Sequence, residues 1–460
     1  MKSNEQAGLN ALEKRATAGL VGVYGVRMLG LFLILPVFAL YAQHLKGTTP
    51  TLIGLAIGIY GLTQALLQIP LGMLSDRIGR KPVMLGGLAV FALGSVVAAM
   101  SDTIYGVVVG RALQGSGAIA AATLALLADL TRDSIRARVM ALVGMSIGLA
   151  FAIAMIAGPM LDDWIGVDGI FWLTAALAGI AAVIVVKVIP TPATMHIRRD
   201  TETVWSDLGR VIRDPQLLRL DLGIFSLHLM LTASWVVIPV QLVQHLDFPS
   251  ARHWELYLPV MALSVFTMFP FVIYAEKYHK MKPVFVGAVA VLVVAELLMS
   301  WKVVALMGLA FALWVFFSAF NLLEATLPSV VAKTSPTHLK GTAMGVYSTS
   351  QFMGIFVGGA AGGWVYEHYG IAAVFIFCAA IAAVWLIAAV TMASPRYLSS
   401  YSLEVGEQDP QSAAALAGEL MGIDGVAEAI VIAEEGMAYL KVNLKDLDRA
   451  ALKAYSRHES

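Results

Sequence analysis

Six ionisable side chains sit inside long apolar runs of this 460-residue chain: Arg27, Arg111, Asp221, His228, Glu296 and Glu324. A charge at the centre of a membrane helix costs at least about 2.5 kcal/mol, so each must face an interior or lie near a helix end. Carboxyl and imidazole groups in such surroundings can take up and release protons in step with a movement, which makes Glu324, His228 and Asp221 proton-coupling candidates. Glu324 shares a helix face with Asn321, three residues earlier, and is the first choice for a proton carrier. A structural carboxylate paired with a basic residue is its equal alternative, and His228 serves as well as an interhelical hydrogen-bonding group. Asp221 falls near one end of its run and Glu296 near the opposite end of another, where interfacial solvation is the alternative reading for both. Arg27 and Arg111 can hold an anionic group, tune a nearby carboxylate, or stand as fixed hydrogen-bonded pillars. Gln64 and Gln68, one turn apart, with Gln114 and Gln351, offer polar cavity wall or hydrogen bonds between packed helices.

Side chains of this kind need elements that shield them from lipid and still bring them together. The chain is 59% hydrophobic and 13% charged, more apolar side chain than a water-soluble core can hide. A hydrocarbon layer about 30 Å thick takes about 20 helical residues to cross. Runs of that order fall at 17–43, 52–74, 83–100, 104–130, 139–161 and 169–189, then at 217–242, 256–274, 284–300, 304–331, 341–365 and 371–392. Their length and lack of alternation exclude a membrane barrel. The expected fold class is therefore an all-α polytopic membrane protein, with 12 transmembrane helices in two six-helix bundles.

Basic residues are strongly one-sided. Arg77, Arg80, Lys81, Arg132, Arg136, Arg138, Arg198, Arg199, Lys280, Lys282, Lys340 and Arg396 share one set of loops, against Lys46, Arg252 and Lys302 on the other. The first set is cytoplasmic by the positive-inside rule, and an even helix count places both termini there. The expected division is a cytoplasmic segment 1–16, a bundle 17–189, a polar linker 190–216, a second bundle 217–392, a short linker 393–400 and a tail domain 401–460. The bundles echo each other: Arg136, Met140 and Gly158 recur at one interval as Lys340, Met344 and Gly362. Balanced charge, 31 basic against 31 acidic residues, argues against nucleic acid as a partner. The single Cys378 excludes an intrachain disulfide or thiolate metal cluster. No phosphate-binding glycine loop or metal-ligand spacing occurs, so no cofactor and no enzymatic reaction are expected, and energy comes from a gradient.

One loop carries more than charge. In Gly72-Met73-Leu74-Ser75-Asp76-Arg77-Ile78-Gly79-Arg80-Lys81-Pro82, Gly72 permits close helix contact, Gly79 can adopt a positive φ at a tight reversal, and Pro82 suits a first helical turn. Asp76 ends a helix whose dipole opposes it, so it needs a cation or another helix's N-terminus. Arg77, Arg80, Lys81 and the start of the eleventh span at Gly341-Thr342 are the candidates.

This stretch resembles the signature between helices 2 and 3 of the major facilitator superfamily. Arg111-Ala112-Leu113-Gln114-Gly115-Ser116-Gly117 is similar to the family's helix 4 motif. Gly148 with Gly158-Pro159 is similar to the helix 5 motif of its drug:proton antiporter branch, except that Leu161-Asp162 stands where that motif has a glycine pair. The resemblance implies two halves rocking about a midplane cavity, and a latch in which Asp76, supported by Arg80 and Asp129, holds the halves in the outward-open state. Together with the tail it implies kinship with the YajR-type transporters of bacterial inner membranes.

Beyond Ser394 the pattern changes to short strands at 401–405, 427–433 and 437–442 and helices at 412–421 and 446–455, a β-α-β-β-α order that begins a ferredoxin-like fold. The order also resembles the heavy-metal-associated fold, but the tail has no cysteine. It can sense a ligand, touch the cytoplasmic loops, pair with a protein through a sheet edge, or be inert. The functional expectation is a monomeric, proton-coupled efflux transporter for a small organic solute, with an importer or facilitator of the same fold and a tail-signalling membrane sensor as alternatives.

Overall fold

The computed structural model describes residues 9–191, 205–301, 305–394, 398–444 and 446–455. Arg198 and Arg199 of the central linker, Lys302 and Arg396 lie outside the described residues, as does the side chain of Arg136. The first half comprises α1 (Ala11–Phe32), α2 (Leu35–Tyr41), α3 (Pro50–Ile78), α4 (Arg80–Ala99), α5 (Ile104–Ser116), α6 (Ala120–Asp129) and α7 (Asp133–Lys187). A short α8 (Trp205–Val211) lies in the linker. The second half comprises α9 (Pro215–Leu246), α10 (His253–Lys277), α11 (Met281–Ser300), α12 (Leu306–Thr334), α13 (Lys340–Tyr369) and α14 (Ile371–Val390).

Ten stretches among the described residues are long and apolar enough to cross a bilayer, and one of these, Arg138–Lys187, is 50 residues long. Within it Gly166 leaves the helical region at φ 68°, ψ 170°, a conformation open to glycine, so α7 is two crossings joined end to end. Adding α13, whose glycines and polar residues lower its apolarity, brings the crossings to the expected twelve. The outer surface suits lipid: Phe266 and Ile387 are 72% and 68% exposed, and Trp164 and Trp301 project at helix ends as interfacial anchors do.

Local sequence sets the helix boundaries. Asn10 and Glu13 form a capping box on α1, so that helix starts six residues before the expected first span. Thr49 caps α3 ahead of Pro50, and Asp214 caps α9 ahead of Pro215. Gly79 joins α3 to α4 at φ 102°, ψ 149°, an extended positive-φ conformation available to glycine rather than the left-handed helical one. The first and fourth expected spans are each broken, at 33–34 and 117–119. The halves repeat in packing as well as in sequence. A Cβ on Gly158 would meet the Leu33 carbonyl between α1 and α2 at 2.6 Å, and one on Gly362 would meet Cα of Ala233 in α9 at 2.8 Å.

The tail forms β1 (Ser399–Glu404), α15 (Pro410–Met421), β2 (Val426–Ile432), β3 (Met437–Val442) and α16 (Arg449–Lys453). The sheet is antiparallel in the order β1-β3-β2, with Leu403, Leu420, Leu440 and Leu452 in its core. The second tail helix is shorter than its sequence pattern predicts, five residues from Arg449, because Asp448 caps it there. On the opposite face of β3, buried Lys441 donates from Nζ to the carbonyls of Ala332 and Lys333, at 3.2 and 3.1 Å. These belong to the last turn of α12, whose carbonyls have no partner within the helix. The tail is thus seated on the membrane bundle.

Candidate transport cavity

The halves meet along α3 and α13. Near the Pro50 end the two helices touch backbone to backbone: a Cβ on Gly58 would sit 2.7 Å from the Phe356 carbonyl, and one on Gly363 would sit 2.5 Å from the Pro50 carbonyl. Glu367 accepts from the Thr51 amide at 2.9 Å on the same rim. Further down, Gln68 Nε2 donates to Thr349 Oγ1 at 3.0 Å and to the Gly345 carbonyl at 3.4 Å. Beyond it the helices separate, and a cavity of about 190 Å³ lies between the halves. Its wall is largely apolar, with Met28, Phe32, Leu231 and Phe352, interrupted by Gln68, Arg111, His228 and Gln351, and it reaches Asp76, Arg80 and Gly341 at the opposite end from Pro50.

On the second-half wall the structure joins three of the expected residues in one chain of hydrogen bonds. His228 Nδ1 faces the Ile224 carbonyl at 3.3 Å, which places the ring proton there and leaves Nε2 as acceptor. Gln351 Nε2 lies 2.8 Å from that Nε2 and donates to Glu324 Oε1 at 3.4 Å, while Glu324 Oε2 is 3.9 Å from the imidazole. Asn321 is not part of this chain: its amide turns away to Ser264 of α10 at 2.9 Å, so it is not cavity wall. Asp221 is buried, with Oδ2 lacking a hydrogen-bond partner among the described residues, and interfacial solvation does not account for it. Glu296 is likewise fully buried, Oε1 accepting from Ser234 Oγ at 3.4 Å. Neighbouring helices cover both, although sequence position put them near span ends. Tyr347, one turn before Gln351, is buried with its hydroxyl lacking a hydrogen-bond partner among the described residues. Sequence reading passed over it, although its four-residue spacing from Gln351 marks the shared face.

In the first half the glutamines serve the arginines. Arg27 Nη2 donates to Gln64 Oε1 at 2.8 Å and to the Gly117 carbonyl at 3.1 Å, the latter a group freed by the break between α5 and α6. Arg111 donates to Gln114 Oε1 at 2.8 Å and to the Ala56 and Ile57 carbonyls, and Gln114 in turn donates to Ser95 at 2.7 Å. Gln64 and Gln114 are therefore arginine partners rather than cavity wall, and Arg27 too lies behind the wall that Arg111 reaches. Both guanidinium carbons lie over the ring of Tyr60, at 5.9 and 5.2 Å. Tyr60, missed in the sequence, stands one turn before Gln64. A cation-ring contact is worth about 0.5–2 kcal/mol, whereas burying an ion costs several kcal/mol even after relaxation, so the ring alone does not balance either charge.

At the far end of the cavity Arg80 is the hub of the basic turn. Its Nη1 bonds Asp76 Oδ1 and, at 2.9 Å, Ser75 Oγ, and its Nε faces Asp129 Oδ2 at 3.3 Å. Asp76 thus takes the cation offered by its own turn, while sharing the cavity wall with Gly341 of α13. Lys81 donates to the Ile189 carbonyl at 2.6 Å, just past the end of α7, and Arg77 is exposed. A Cβ on Gly72 would meet Ala121 of α6 at 2.9 Å, whereas Gly148 has open space around it and Pro159 lies within the continuous α7. Of the two expected helix 5 glycines, Gly158 makes a close contact and Gly148 does not.

The Major Facilitator Superfamily profile matches residues 20–359 and 260–415. This chain belongs to that superfamily. It is 47% identical over 437 residues to the inner membrane transport protein YajR of Escherichia coli K12, an alignment covering 95% of this chain and 96% of that protein. A more distant relative is the multidrug resistance protein MdtH of Yersinia enterocolitica, 24% identical over 342 residues, 74% of this chain and 84% of MdtH. Among solved structures, a bacterial homologue of the human lysosomal transporter Spinster, in an inward-facing and occupied conformation, superposes with a TM-score of 0.69 at 12% identity. That match covers 83% of this chain and 97% of the other, and it shows the common fold. The chain is accordingly a multi-pass membrane protein built as a transporter of this superfamily, not an enzyme.

Proposed function

We propose that this protein exports a small amphipathic organic solute across a bacterial inner membrane in exchange for protons, by alternating access. The observation that carries the reading is the cavity between the halves, apolar for most of its wall and bordered by the His228–Gln351–Glu324 chain. A proton entering that chain changes the charge facing the solute, which is what coupling requires. The positive-inside rule puts the Asp76 end in the cytoplasm, so the cavity is open inward and sealed outward by the α3–α13 glycine contact. The ion-pair partner of Asp76 among the described residues is Arg80 of its own half, in keeping with a latch that engages across the halves when the cytoplasmic end closes. The kinship with MdtH, which bears the name of a multidrug resistance protein, supports the outward direction.

The test is flux of a fluorescent amphiphile in proteoliposomes under an imposed pH gradient. Wild-type protein drives the dye against the proton flow, and Glu324→Gln loses the pH-driven component while keeping exchange at equal pH. Uptake in the direction of proton flow makes the protein an importer. Full pH coupling in Glu324→Gln removes that residue from the mechanism.

A further inference from the structure

Two of the buried cations of the first half have no carboxylate partner among the described residues. Arg27 and Arg111 are 2% and 3% exposed, and neither guanidinium has a carboxylate within ion-pair distance among the described residues. Their partners are amide oxygens, main-chain carbonyls and the face of Tyr60, all neutral. Three further donors in the cluster, Arg27 Nε and Nη1 and Gln64 Nε2, are buried with no acceptor among the described residues. A guanidinium carries five N–H groups and no acceptor. Two such forks lie around one ring: Arg111, each nitrogen of which has a neutral acceptor, reaches the cavity wall, the unmet donors sit just behind it on Arg27 and Gln64, and the component the cluster lacks is negative charge.

From this we infer that the Arg27–Tyr60–Arg111 cluster is the anion subsite of the cavity, binding a carboxylate-like anion. The inference deepens the transport reading above, because it makes the exported amphiphile an organic anion whose apolar body lies against Met28, Phe32 and Leu231. Planar donor forks favour a carboxylate over an isosteric alcohol, and the apolar wall favours an aromatic or alkyl body. Arg111 touches the headgroup. Arg27 and Gln64, set behind it, position the guanidinium and complete the field.

Two naphthalene probes test the site on the full-length protein in neutral-lipid nanodiscs without any gradient: 1-naphthoate and its uncharged counterpart 1-naphthalenemethanol. Wild type is expected to bind naphthoate at least about ten-fold more tightly, a difference of about 1.4 kcal/mol. Arg111→Gln and Arg27→Gln should each abolish that preference while leaving naphthalenemethanol binding in place, and Arg111→Lys should retain part of it. Should a glutamine variant fail to fold, the wild-type comparison still decides. Equal binding of the two probes, or a preference that survives in the Arg27→Gln/Arg111→Gln pair, overturns the proposal. Replacing gluconate by chloride at constant ionic strength separates two sources of the anion. Weaker naphthoate binding in chloride supports a site open to free anions, and unchanged binding supports one filled by the solute's own headgroup. Loss of proton coupling in vesicles with this preference intact would defeat the coupling reading and spare the anion site.

Discussion

Asp76 and Asp129 bind the same guanidinium from unequal surroundings, and that difference separates their roles. The Asp129 side chain is 3% exposed and that of Asp76 18%, against 2% for Arg80. Removing one partner of a buried pair costs about 3–5 kcal/mol, while a partly solvated partner can be replaced by water at much smaller cost. Asp129→Asn should therefore lower the thermal midpoint of the purified protein markedly. Asp76→Asn should leave that midpoint nearly unchanged and slow transport in vesicles. Equal destabilisation with unaltered turnover in Asp76→Asn would make both residues purely structural. Residue identity disclosed the candidates at this scale but not their pairing. Gln64 and Gln114 could be cavity wall or hydrogen-bonding groups between packed helices in the sequence, and only the folded structure shows that each accepts from an arginine. Asn321 was tied to Glu324 by helical spacing, yet its amide reaches the neighbouring α10 instead.

Among elements, α3 and α13 decide which end of the cavity is shut. Gly54, Gly58 and Gly61 face Gly359, Phe356 and Phe352 at separations that leave no room for a side chain, so the seal at the Pro50 end depends on glycine at these crossings. Gly58→Leu should destabilise the sealed arrangement by about 1–3 kcal/mol of overpacking without harming the state in which these helices part. The expected result is faster labelling, by about ten-fold or more, of a cysteine placed at the cavity residue Ser348 by an impermeant maleimide applied from the Pro50 side. Unchanged labelling with intact protein would locate the seal elsewhere. The glycine-rich run at 358–363 was visible as a close-packing signal in the sequence. Its partner helix was not, because glycine leaves no side-chain pattern to match.

For the whole molecule, the tail is coupled to the transport bundle through Lys441. Burial lowers this amine from the ordinary 10.5 to about 8. A lysine whose charged form is disfavoured when docked takes up a proton on release, so docking is weakest below about pH 8 and strengthens as the pH rises from there towards 10.5. Hydrogen exchange of β3 and of the last turn of α12 should accordingly slow across that window beyond the intrinsic effect of pH. Lys441→Ala leaves the Ala332 and Lys333 carbonyls without their donor, at a cost of about 1–3 kcal/mol, and should speed exchange in both segments and remove the added pH dependence. Independent exchange in β3 and α12 would show that the tail is not anchored there.

What the sequence determined by itself was the solvent, the repeat and the class. Apolar runs of membrane length, one-sided basic loops and a basic, methionine and glycine spacing that recurs in both halves need no folded context, and the superfamily signature at 72–81 is read from consecutive residues. The tertiary structure decided which buried groups meet. His228, Glu324 and Gln351 come from three different helices, and Arg27, Tyr60 and Arg111 from three others. In a lipid-embedded bundle every helix face is apolar enough to point either way, so only packing fixes which polar side chains turn toward one another.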